Sequence, residues 1–111
     1  MIVVVGRVRT DADRRAELIR LGQQVAQASR AEAGCLGYRL YEDTENENDF
    51  VFIEDWESEE ALREHFATPH FATPHIAAFM AAFPATLSAT PDVKFHTVAG
   101  TRDLTEISGS R

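Results

Sequence analysis

Phe50-Val51-Phe52-Ile53-Glu54-Asp55-Trp56 is the stretch that decides the architecture of this chain. Aromatic and β-branched residues fill it, so residues 50–56 read as a strand. Side chains along a strand alternate between two faces. Phe50, Phe52 and Trp56 therefore share one face with Glu54, and Val51 and Ile53 occupy the other. Ile2-Val3-Val4-Val5-Gly6-Arg7-Val8-Arg9 behaves in the same way, with Ile2, Val4 and Val8 on one side and Val3 and Val5 on the other. Strands that are apolar on both sides belong to a sheet covered on both faces.

Working outward, Thr10-Asp11 stops the first strand and a helical pattern follows over residues 11–33. At 100° per residue, Leu18, Leu21, Val25 and Ala28 fall within about 80° of one another. Glu17, Arg20, Gln23, Gln24, Gln27 and Arg30 take the opposite side. Gly34 is placed to end this helix in a left-handed conformation. Residues 35–41 form a second strand, separated from 50–56 by the acidic stretch Glu42-Asp43-Thr44-Glu45-Asn46-Glu47-Asn48-Asp49. That stretch reads as a solvated hairpin loop, since it lacks the fixed glycine of a calcium loop.

Ser58 is a helix cap, with Glu59 and Glu60 in the first turn, where the helix dipole favours them. His65-Phe66-Ala67-Thr68-Pro69 is then repeated at once as His70-Phe71-Ala72-Thr73-Pro74, followed by His75. Each Thr-Pro pair is a natural helix start, so the segment is expected as two pieces, about 58–67 and 74–83. A last strand is expected over 92–99, and 102–111 as a polar tail containing Gly and Ser. Residues 1–101 thus form one α+β domain of βαββαβ order. Right-handed crossovers in that order place both helices on one face of the sheet. Several Val, Ile and Phe side chains would remain wet on the other, at roughly 1.5–3 kcal/mol each. A second copy of the chain is the natural cover, giving a homodimer through sheet-to-sheet packing.

The chain has 111 residues, 44% hydrophobic and 26% charged, which suits a single globular domain. Its formal net charge of -7, with no Lys/Arg cluster, argues against nucleic acid as a partner. No run of about 18 apolar residues is present, so no membrane span is expected. Met1-Ile2-Val3-Val4-Val5 is too short for a signal-peptide core. Cys35 is the only cysteine, which excludes an intrachain disulfide, and the cytoplasm is the simplest expectation. It reads as a small packing residue rather than a nucleophile.

Gly34-Cys35-Leu36-Gly37-Tyr38, Phe50-Val51-Phe52-Ile53-Glu54-Asp55-Trp56-Glu57-Ser58, Glu60-Ala61-Leu62 and the run from His65 to His70 resemble the antibiotic biosynthesis monooxygenase family, which includes small quinol monooxygenases. The resemblance spans roughly residues 2–100. It implies a ferredoxin-like domain in a dimeric α/β barrel, with a pocket between each sheet and its helices. It also implies oxidation of a small aromatic substrate, a quinol or polyphenol, by O2 without metal, flavin or haem. The sequence has no Gly-rich phosphate loop, no cysteine pair and no facial-triad spacing.

Chemistry of that kind needs a base near neutrality, an apolar cage and groups that fix the substrate ring. Histidine suits the base. His65 stands nine residues after Trp56, and the repeat leaves His70 and His75 as further candidates. Three histidines at five-residue spacing cannot share one helical face, which disfavours a zinc triad on a single helix. Tyr38, Phe52, Glu54 and Trp56 are the candidate substrate-binding residues. A Glu among aromatics is costly unless hydrogen-bonded or protonated. Arg7 and Arg39 could meet an anionic substrate or pair with the acidic surface. Haem-degrading relatives of the same superfamily carry an Asn and a Trp where this chain has Gly6 and His65, which counts against haem chemistry; their haem-ligating His has a counterpart, His75, if no gap is allowed. An isomerase of a small polar metabolite, or a dimer that only binds a small aromatic ligand, are the alternative functions.

Overall fold

The computed structural model describes residues 1–67 and 74–109, with the side chains of 74–76 left aside. Its elements run β1 (Ile2–Arg9), α1 (Arg15–Ser29), β2 (Cys35–Glu42), β3 (Asp49–Trp56), α2 (Glu59–Ala67), α3 (Pro74–Ala82), a 3-10 turn (Phe83–Thr86), β4 (Asp92–Thr97) and α4 (Leu104–Ser108). The four strands form one antiparallel sheet in the order β2-β3-β1-β4. This is the ferredoxin-like arrangement expected from the strand and helix order.

Register assigns the faces. Ile2 pairs with Trp56, Val4 with Glu54, Gly6 with Phe52 and Val8 with Phe50, and all eight are buried. Their intervening neighbours Val3, Val5, Val51 and Ile53, on the face away from α1, are only half-buried. On the inner side α1 delivers Leu18, Leu21 and Val25 to the core, where Leu18 and Trp56 are wholly buried. Gly22 allows α1 to lie close on β2: a Cβ there would fall 2.5 Å from Leu40 Cδ2.

A bulge interrupts β2. Cys35 pairs with Trp56 and Gly37 with Asp55, so Leu36 is the extra residue. Past it, Tyr38 lies opposite Glu54 and Leu40 opposite Phe52, on the inner face. Arg39 and Arg7 are consequently on the outer face.

Three expectations are corrected. Helix α1 is shorter than 11–33. At its start Asp11 accepts from the Arg14 amide at 3.2 Å and pairs with the Arg14 guanidinium, forming a turn before the helix. At its end the chain tightens into i→i+3 bonds, Ala31 N–H to Ala28 and Glu32 N–H to Ser29. Gly34 is left-handed as expected, with φ +83°, but it closes this turn rather than capping the helix. Strand β4 stops at Thr97 instead of residue 99. The tail contains a short helix, α4, started by a reciprocal capping box between Asp103 and Glu106. The broken second helix is present as α2 and α3, and Ser58 Oγ accepts from the Ala61 amide at 3.1 Å. No described helix is long and apolar enough to cross a membrane.

Gly34 is where backbone and packing constraints meet. Its φ is positive, and a Cβ would sit 2.5 Å from Ala61 Cβ in α2. Left-handed backbone costs an L-residue roughly 1–2 kcal/mol, and overpacking about 1–3 kcal/mol more. Gly34→Ala is expected to lower stability by about 2–4 kcal/mol in urea unfolding at fixed protein concentration. A loss below about 0.5 kcal/mol would contradict this reading.

Candidate functional site

The helix layer does not reach across the whole sheet. Val93 and Phe95 of β4 face the helices yet remain 46% and 53% exposed. Between them and α2, α3 and the 3-10 turn lies a cavity of about 560 Å3. Phe52, Phe79 and Phe83 form its aromatic floor, with Phe79 and Phe83 stacked at 4.3 Å and Phe52 edge-on to both. Three polar side chains reach it: Tyr38 from β2, Glu54 from β3 and His65 from α2. All three are at least 94% buried.

Glu54 is placed there by strand alternation, between Phe52 and Trp56. The Trp56 indole N–H donates to Glu54 Oε1 at 3.0 Å. Burial pushes the Glu54 carboxyl up to about 7; the Trp56 and Tyr38 hydrogen bonds oppose that rise, and the charge of Glu32 adds to it. Tyr38, cross-strand from Glu54, has its hydroxyl held protonated by burial first and by the Glu54 charge second.

His65 lies in the last turn of α2 and its side chain is wholly buried. Its ring is 4.6 Å from Trp56 and 5.9 Å from Tyr38, centroid to centroid. Its Nδ1 stands 3.0 Å from both carboxylate oxygens of Glu32. A carboxylate can only accept, so Nδ1 carries the proton and a neutral imidazole keeps its lone pair on Nε2. Glu32 was not a candidate from the sequence. It sits in the tight turn after α1, inside the stretch expected to be helix.

Of the predicted site residues, Tyr38, Phe52, Glu54 and His65 line one cavity. Trp56 is behind the wall, supporting Glu54 and His65. His70 lies outside the described residues, and His75 is placed only as backbone in α3. Arg7 and Arg39 are on the opposite face of the sheet. Cys35 is half-buried on the inner face, and burial raises its thiol above the ordinary range, away from thiolate chemistry. Among the described residues no group of three or more His, Cys, Asp and Glu is arranged to hold a metal.

The position of Glu54 makes stability depend on pH. In the unfolded chain it ionises near 4.5, in the fold near 7. Between those values the fold retains a proton that the unfolded chain gives up, so this group's contribution to stability falls as pH rises from about 4.5 to about 7 and stays low above. The displacement corresponds to an energy on the order of 3 kcal/mol. Glu54→Gln removes the titration. Its stability relative to the native chain is expected to rise between pH 5 and 8, and urea titrations at the two pH values check this.

Comparison with known proteins agrees with the fold. The family model described as "Antibiotic biosynthesis monooxygenase" matches residues 1–82. The uncharacterized protein sll1783 of Synechocystis sp. is 36% identical over 103 residues, covering 93% of this chain and 67% of its own length. The Bacillus subtilis protein named "Putative monooxygenase YcnE" is 37% identical over 93 residues, covering 84% and 93%. A crystal structure from Deinococcus radiodurans carrying the same family name superposes with a TM-score of 0.83 at 24% identity, covering 94% of this chain and 98% of that one. At that identity it speaks for the fold. The chain belongs to the antibiotic biosynthesis monooxygenase family.

Proposed function

We propose that this chain is a monooxygenase that needs no bound cofactor and oxidises a small quinol or polyphenol with O2. The observation that carries the reading is the buried His65 at the wall of an aromatic cavity, paired behind it with the half-buried Glu32. Glu32 holds the imidazole in the tautomer that leaves Nε2 as acceptor. His65 takes a phenolic proton, and the ring anion passes one electron to O2. Superoxide and the ring radical then combine at carbon. Loss of water from the hydroperoxide leaves the hydroxyquinone, so one quinol and one O2 give one hydroxyquinone and one water. Phe52, Phe79 and Phe83 support the ring from below and exclude bulk water, while Tyr38 and Glu54 hold its oxygens.

The working unit is a homodimer joined through the outer sheet faces. Val3, Val5, Val51 and Ile53 form the apolar centre of that face. They are framed by Arg7, Arg39, Asp55 and Lys94, so that both apolar contact and charge pairing are open to a two-fold partner. The reaction and both substrates are small and diffusible, consistent with the expected cytoplasmic setting.

Oxygen uptake with hydroquinone-type substrates is expected to resist chelators. It should fall about 10²–10⁴-fold in His65→Ala, with a smaller loss in Glu32→Gln. Full rate in His65→Ala removes His65 as the base, and binding without any product favours the ligand-binding alternative. Sedimentation is expected to give twice the 12.4 kDa chain mass. Ile53→Lys should shift it to a single chain; a native chain that sediments as a monomer at micromolar concentration overturns the pairing.

A further inference from the structure

We propose that this cavity is a site for uncharged ligands and discriminates against anionic ones, with Glu54 as the residue that sets the discrimination. This rests on the reading that the cavity is the substrate site, and adds the ligand's charge class to it. Volume and apolarity suit a drug-sized ligand, for which pockets of about 300–1,000 Å3 are usual. An arginine or lysine is the ordinary counter-charge for a carboxylate, sulfonate or phosphate in such a pocket. Neither lines this cavity among the described residues. The stretch Thr68-Pro69-His70-Phe71-Ala72-Thr73 supplies none in its sequence.

The cations nearby are committed elsewhere. Arg30, at the end of α1, donates to the Tyr38 backbone carbonyl at 2.8 Å, and Arg7 and Arg39 project from the other side of the sheet. Among the described residues the ionisable groups that face Glu54 are Tyr38 and Cys35 on β2, Glu32 in the turn after α1, and His65 on α2. Glu32 and His65 form a close pair, whose charges cancel if the imidazole is protonated. Among the described residues, what remains toward the ligand is Glu54, neutral on the acid side of its titration and negative on the other. An anionic ligand therefore loses water without gaining a counter-charge, and above neutrality meets a like charge as well. A neutral hydroxyl faces no such penalty and can donate to the Glu54 carboxylate or accept from its acid form.

Methyl 6-hydroxy-2-naphthoate and 6-hydroxy-2-naphthoate have the same ring and nearly the same size, and differ in one charge. Calorimetric titration under nitrogen, without turnover, is expected to show the ester binding at least tenfold more tightly at pH 8. The gap should narrow severalfold at pH 6, where the acid is still ionised but Glu54 is largely protonated. In Glu54→Gln the gap should be the same at both pH values. Binding of the acid within threefold of the ester, a gap in the native chain that does not change with pH, or binding of neither probe overturns the proposal. Oxygen uptake reads the reaction separately. Ester binding with no oxidation of any quinol sinks the monooxygenase reading alone, and quinol oxidation with equal binding of acid and ester sinks the charge selection alone.

Discussion

The hydrogen bond from the Trp56 indole to Glu54 ties the core of this protein to its cavity. Strand alternation makes Phe50, Phe52, Glu54 and Trp56 point the same way, so the only acidic side chain of that row enters the interior with its aromatic neighbours. A carboxyl group in such surroundings needs a donor or a proton. Trp56 supplies the donor from two residues away on the same strand, and in doing so its ring becomes fixed. The fixed indole is then the surface on which the His65 ring rests at 4.6 Å, and His65 in turn meets Glu32. One polar contact inside an apolar layer thus orders three elements: β3, α2 and the turn after α1.

This network also explains why the turn at residues 30–34 is so tight. Glu32 reaches α2 only because the chain leaves the helix at Ser29 and reverses through i→i+3 bonds. Gly34 completes the reversal with its positive φ, and Ala61 of α2 packs where a side chain would have been. Close approach of turn and helix brings the Glu32 carboxylate within hydrogen-bond distance of His65. The geometry of the site is therefore set by backbone constraints as much as by the groups that would react.

Much of the fold was legible because it follows from periodicity. The two-sided strands, the amphipathic helix, the Ser58 cap and the helix start at Pro74 each have a local cause, while the Thr68-Pro69 start lies outside the described residues; the order of the elements restricts the topology to one familiar arrangement. The polar wall was legible in part: Glu54 shares a face with Phe52 by alternation, and His65 stands out by chemistry. Glu32 was hidden because nothing in its helical periodicity distinguishes it from a solvent-facing residue. Its role depends on where α1 stops, and helix ends are decided by hydrogen bonds that periodicity does not show. The short helix α4 had a readable sign in Asp103-x-x-Glu106, masked by the Gly and Ser around it. Trp56 was expected in the wall and lies behind it, since side-chain depth within one face is a matter of packing rather than pattern.

The bulge at Leu36 has a consequence for what this scaffold could become. Were Leu36 paired with Asp55 in regular register instead of bulged out, the same strand would bring Gly37 opposite Glu54 and Arg39 opposite Phe52, in place of Tyr38 and Leu40. The phenol would turn out to the other side of the sheet, and a guanidinium would take the inner side. A single irregularity in backbone pairing therefore separates an interior suited to neutral rings from one equipped to grip acids, and a lineage could cross between the two without changing any side chain.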